Sequence, residues 1–223
     1  MLNIRNLSQS YLQGKEVISV LKSINKQISN NLNVGLIGPS GSGKSTLLNL
    51  IGLLEKPISG VIEINGINSS SLNSESRTNF RRENIGFVFQ NNQLLEDFSC
   101  EENVALPLIL NGYSYQKSIN KSKDALIEIG LGNRLKFKPS LLSGGEQQRV
   151  AVLRALIKKP KILLADEPTG SLDKKNSEEI FRNIINLSKE QKTLCITATH
   201  NLALLKHFDI CYEIVKGDLV ERK

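Results

Sequence analysis

Val34-Gly35-Leu36-Ile37-Gly38-Pro39-Ser40-Gly41-Ser42-Gly43-Lys44-Ser45-Thr46 sets the frame for this chain. The first four residues read as a short buried strand, the glycine loop follows directly, and Lys44 to Gly52 reads as a helix. Gly38 to Ser45 matches G-x-x-x-x-G-K-S in full, in the strand–loop–helix context that the motif requires. Glycines let backbone N–H groups turn inward around phosphate oxygens without a Cβ clash. In such a loop Lys44 reaches the β- and γ-phosphates, and Ser45 offers a hydroxyl to Mg²⁺.

Outward from this loop, Leu2 to Ile28 alternates apolar and polar residues over short stretches, as exposed antiparallel strands do. Val61 to Ile64 before Asn65-Gly66 is strand then turn, and Ile85 to Phe89 is β-prone and ends at Gln90. From Asn91 to Ser140 the character changes. Glu101 to Leu110 and Ser118 to Ile129 have helical spacing, with no convincing strand between them. The core then resumes with helix Glu146 to Lys159, strand Lys161 to Asp166, helix Ser177 to Glu190 and strand Thr193 to Thr199. Strands alternating with helices predict an α/β fold: a mainly parallel core sheet, an N-terminal antiparallel β subdomain and an inserted α-helical subdomain.

Two more segments carry chemistry. In Leu142-Ser143-Gly144-Gly145-Glu146-Gln147-Gln148-Arg149, Ser143 and Glu146 form a capping box at the start of a helix. A helix start beside two glycines is a second anion site. One nucleotide needs only one such site per chain, so the second is offered to a nucleotide held by a partner. In Ile162-Leu163-Leu164-Ala165-Asp166-Glu167-Pro168, two carboxylates close an apolar strand, which is costly unless a cation is near.

Together these three segments resemble the ATP-binding cassette (ABC) family of ATPases, from about Leu2 to Glu221. The resemblance implies a P-loop NTPase with ATP as ligand and Mg²⁺ held by Ser45, Gln90 and Asp166. It casts Glu167 as the base that deprotonates the attacking water, and His200 as a contact to the γ-phosphate; without it a lone histidine after a strand is more often structural. Tyr11 would stack on adenine, although an ordinary strand tyrosine remains a rival reading. Gly38, Pro39, Ser40, Gly41, Ser42, Gly43, Lys44, Ser45 and Thr46 would bind the phosphates of the chain's own ATP. Ser143, Gly144 and Gly145 would touch the γ-phosphate bound by the other protomer, and Asp173 would cross the interface. A head-to-tail homodimer with two buried ATP molecules follows.

The family reading makes 1–223 a single ABC ATPase domain. Residues 1–90 and 141–223 form the α/β core with its β subdomain, and 91–140 form a helical subdomain with a contact surface for a membrane partner. Leu94-Leu95-Glu96-Asp97-Phe98 and Glu101 to Leu108 resemble the subgroup of lipoprotein-releasing, macrolide-exporter and cell-division cassettes, and lean toward the first. Cell-division regulation or macrolide export stands as the alternative. The apolar stretch Val104 to Leu110 either receives a short helix of a membrane subunit or is simply the subdomain's core. The chain departs from the subgroup at Leu54-Glu55, where Leu-Asp is usual, and at Leu153-Arg154-Ala155, where Ala-Arg-Ala is usual.

Composition agrees with this assignment. No run approaches the ~20 apolar residues of a membrane span, so integral-membrane permease subunits would be separate chains. The N-terminus lacks the apolar core of a secretion signal, and the protein is expected to be intracellular, peripheral at the cytoplasmic face of the inner membrane. With Trp absent and few aromatics, the core must be mostly Leu, Ile and Val. Cys100, Cys195 and Cys211 lack paired metal-ligand spacing and read as small buried residues. The formal charge of +7 is scattered among acidic residues, with no Arg-rich tract, so no nucleic acid is expected as partner. A soluble ABC ATPase acting on DNA or ribosomes is the less favoured class.

Overall fold

A computed structural model of the chain describes residues 1–170 and 174–222. The chain opens with β1 (Leu2–Gln13) and β2 (Glu16–Ile28), paired antiparallel around Gly14, whose φ is +64°. β1 buries Leu2, Ile4, Leu7 and Gln9. Its alternation slips between Ile4 and Leu7 because the pairing register shifts there, and Asn6 takes a φ of +47°.

β3 (Asn33–Ile37) is buried at every residue, and α1 (Lys44–Ile51) follows the glycine loop. β4 (Ser59–Ile64) and β5 (Ile67–Asn68) complete a four-stranded antiparallel sheet in the order β2-β1-β4-β5. α2 (Ser74–Asn84) is capped by Asn73, whose side chain accepts from Ser76 N, and leads into β6 (Ile85–Val88).

The next segment holds α3 (Cys100–Leu110) and α4 (Tyr115–Glu128). Ser99 and Glu102 form a capping box at the start of α3. Asn103, fully buried, accepts from Leu95 N and donates to the carbonyls of Leu95, Phe98 and Ser99. That side chain stitches the loop before α3 to the helix.

α5 (Gly144–Leu156), β7 (Ile162–Asp166), α6 (Lys174–Glu190) and β8 (Leu194–Ala198) come next. α5 starts two residues earlier than its apolar spacing suggests, because the Ser143–Glu146 capping box sets the first turn. The chain closes with β9 (Ile210–Val215) and β10 (Asp218–Arg222), a hairpin absent from the sequence reading, as were α2 and β5.

The six-stranded sheet runs β10-β9-β3-β8-β7-β6, parallel throughout except for the edge strand β10. Its central strands are near-continuous apolar runs, as parallel strands covered on both faces must be. One core joins this sheet to α1 and the antiparallel sheet through residues such as Leu2, Ile24, Leu47, Leu164 and Ile196. α5 serves two further cores. Val152, Ala155 and Leu156 pack toward β6, β7 and α6, whereas Val150 and Leu153 pack toward α3 and α4. The helical segment thus rides on the outer face of α5. β3, β6, β7 and β8 all end at one edge, where open parallel sheets place ligands.

Candidate active site

β3 hands the chain to the glycine loop at Gly38, and Gly43 closes the loop as N-cap of α1 with φ +104°. Only glycine fits there: a Cβ on Gly43 would stand 2.7 Å from Val20 Cγ1 and 3.2 Å from Leu21 Cδ2. No side chain caps α1, so its first-turn N–H groups lack an acceptor from that source. Lys44, 7% exposed, donates from Nζ to the carbonyls of Gly38 and Pro39, both at 2.9 Å. Ser42 Oγ is buried without a hydrogen-bond partner. A buried ammonium beside an orphaned hydroxyl and an uncapped helix start is a cradle for an anion.

The loop walls a cavity of about 630 Å³, formed by Ser40, Gly41, Gly43, Lys44, Ser45 and Thr46, with Tyr11, Val20, Gln90, Asp166, Glu167 and His200 opposite. That volume suits a small-molecule ligand. Gly38 and Pro39 line an adjacent cavity that His200 also touches. Val20 is a cavity residue that the sequence reading passed over; nothing in the spacing of β2 distinguishes it from its neighbours.

Asp166 ends β7, and Glu167 turns off the strand with φ +45°. Left-handed backbone costs a non-glycine residue about 1–2 kcal/mol. Here the bonds Glu167 N to Ala198 O and Gly170 N to Glu167 O, both 2.9 Å, hold it. His200 Nδ1 stands 2.7 Å from Glu167 Oε1. A carboxylate only accepts, so in this pair the imidazole Nδ1 carries the proton.

Gln90, two residues past the end of β6, lines the cavity, and the backbone just after it is tied to α5. Arg154 donates to the carbonyls of Gln93 at 2.7 Å and Asn92 at 2.9 Å. Before β6, Lys158 donates to the carbonyls of Arg82 and Arg81. Burial pushes the Lys158 ammonium down to about 8. α5, through Arg154, and the turn just after it, through Lys158, therefore grip the chain on both sides of β6.

The start of α5 stands apart. Ser143 and Gly144 are exposed, and Ser143, Gly144 and Gly145 are not among the residues lining the cavity. The Glu146 carboxylate accepts from Ser143 N and Oγ at 2.8 and 2.9 Å, and from Arg134 Nε at 3.0 Å. The Ser143 backbone N–H foremost, with Arg134 aiding, holds its pKa below the ordinary carboxylate value. Asp173 lies outside the described residues.

Residues 21–170 match the ABC transporter family. The chain is 43% identical to the lipoprotein-releasing system ATP-binding protein LolD of Rickettsia bellii, covering 98% of this chain and 97% of the relative. It is 41% identical to the LolD protein of Wigglesworthia glossinidia brevipalpis, covering 100% and 97%. Among solved structures, the dimeric post-hydrolysis state of the ATP-binding cassette MJ0796 bound to ADP and Pi superposes with a TM-score of 0.91. That match has 37% identity and covers 100% of this chain and 98% of that one.

Proposed function

The chain belongs to the ABC transporter family of ATPases, and from that premise we propose that it energises lipoprotein release from the bacterial inner membrane. It would do so as a head-to-tail homodimer at the cytoplasmic face, beneath separate integral-membrane subunits. The lipoprotein assignment is supported by the likeness to LolD proteins over nearly the whole chain. No helix among the described residues is long and apolar enough to cross a membrane, consistent with spanning subunits on other chains.

One observation carries the mechanism. The phosphate cradle, the carboxylates and His200 share one cavity, while the capped start of α5 lies outside it. A second copy is what brings that helix start to the γ-phosphate. Within a protomer, Lys44 leaves the carbonyls of Gly38 and Pro39 for the β- and γ-phosphates. Ser45, Asp166 and Gln90 present oxygen donors at the same cavity, the hard ligands that suit Mg²⁺. When bound, Mg²⁺ supplies neutralisation of phosphate charge. Glu167 takes a proton from the water that attacks the γ-phosphorus. The bond from that phosphorus to its bridging oxygen breaks, leaving ADP and phosphate. His200 holds the Glu167 carboxylate in place, and Tyr11 offers its ring to the adenine.

The test is Glu167→Gln in the full chain. It should bind ATP and remain dimeric on it, yet hydrolyse at least about 100-fold slower, the lower end of a general base's contribution. Ordinary turnover would remove Glu167 from its role. In cells, depletion should strand lipoproteins in the inner membrane; filamentous growth with normal lipoprotein sorting would favour the cell-division reading instead.

A further inference from the structure

We propose that Glu55 is a positioning residue for the nucleotide base, holding the Tyr11 ring against the cavity and tying it to the helix that carries the phosphate cradle. This rests on the reading of Tyr11 as the surface on which the base stacks.

Tyr11 comes from β1 and is 39% exposed, so packing alone does not fix its ring. Its hydroxyl donates to Glu55 Oε2 at 2.6 Å. The other oxygen of the same carboxylate, Oε1, accepts from Asn49 Nδ2 at 2.9 Å. Asn49 stands on α1, and its carbonyl accepts from Leu54 N at 2.9 Å, pinning the loop that bears Glu55 to that helix. Each carboxylate oxygen therefore holds one element: one the aromatic wall, the other the helix that begins at Lys44.

An exposed aromatic side chain otherwise exchanges rotamers within nanoseconds. With its hydroxyl anchored, the ring is oriented before ligand arrives, and binding does not have to order it. A charge-assisted hydrogen bond is strong enough for that task. Burial, and then the Glu55 carboxylate, raise the Tyr11 pKa above its ordinary value, so the hydroxyl keeps the proton it donates. The linkage spans base and phosphate subsites, so its loss should be felt by ligands that have a base and not by a bare phosphate chain.

Calorimetric titration of the full chain with ATP and with inorganic tripolyphosphate tests this. Glu55→Ala and Tyr11→Phe should each weaken ATP about fivefold to tenfold, less than the full worth of a charge-assisted hydrogen bond because only the pre-ordering of the ring reaches the ligand. Both should leave tripolyphosphate binding unchanged. The double variant should be no weaker than either single one, and Glu55→Gln, which keeps one acceptor oxygen but puts an amide nitrogen where the other was, should fall between wild type and Glu55→Ala. ATP binding by Glu55→Ala equal to wild type overturns the proposal. So does an equal loss for ATP and tripolyphosphate, which would mean that Glu55 only supports the α1 loop. Tyr11→Ala separates the two layers. If it weakens ATP selectively while Glu55→Ala does not, only the positioning role falls. If Tyr11→Ala itself spares ATP, the stacking role of Tyr11 falls, and this inference with it.

Discussion

At the scale of single residues, the site depends on backbone shapes that most side chains resist. Gly43 combines φ +104° with Val20 Cγ1 2.7 Å from where a Cβ would be. Gly43→Ala should therefore force the loop to move, since left-handed strain alone costs about 1–2 kcal/mol. We expect ATP affinity to fall at least about fivefold, the lower end of that strain, while the chain remains folded by far-ultraviolet circular dichroism. Unchanged affinity would show that the loop absorbs the methyl group elsewhere. The need for glycine here was legible from the motif, because its spacing encodes the loop's shape. The φ of +45° at Glu167 was not, because a bond from Glu167 N to Ala198 O on a neighbouring strand imposes it. Nor was the Glu167–His200 pair, which joins residues from different strand ends. The chemistry of each residue type can be read in isolation, whereas its partner is a property of the fold.

At the scale of elements, α5 repays the closest reading. Its start is fixed by a side-chain motif visible in the sequence, and its two buried faces follow from its apolar residues. The Glu146 carboxylate bonds to Ser143 N–H and Arg134, and its pKa lies below the ordinary value. A depressed carboxylate stabilises the folded state fully above its unfolded pKa and loses that contribution as pH falls through the folded one. Glu146→Ala should thus cost about 1 kcal/mol at neutral pH, the usual worth of a helix cap. In urea melts stepped to lower pH, the gap from wild type should start to close below the ordinary glutamate pKa. A gap that stayed constant with pH would mean that the charge of Glu146 contributes nothing. Other elements escaped the sequence. α2 buries only Phe80 and is held by the Asn73 cap and by Lys158 on its terminal carbonyls, so no apolar stripe announces it. β5 has two exposed residues, and β10 is an edge strand that buries only Leu219. β5 and β10 are short edge strands of hairpins with the strands just before them, and with so few buried residues local periodicity carries little trace of them.

At the scale of the whole molecule, the question is which copy's helix start meets which phosphate. Gly144 is exposed at the first position of α5, where a carboxylate suits the helix dipole. Gly144→Asp should therefore leave the fold intact, or slightly stabilised, while placing a negative charge against the partner's triphosphate. If α5 serves only its own chain, the change is silent toward ATP. If it completes the site of a second copy, its effect appears only on association. In a Glu167→Gln background, Gly144→Asp should bind ATP with the affinity of a lone protomer, measured at chain concentrations too low for dimers. At higher concentration, sedimentation should show it failing to dimerise on ATP, where Glu167→Gln alone does. Lys44→Ala in the same background should lose both properties, because it strips the cradle itself. Dimerisation of the Gly144→Asp protein at an unchanged ATP concentration would mean that the capped helix start does not face the partner's phosphates, and the two-copy site would have to be abandoned.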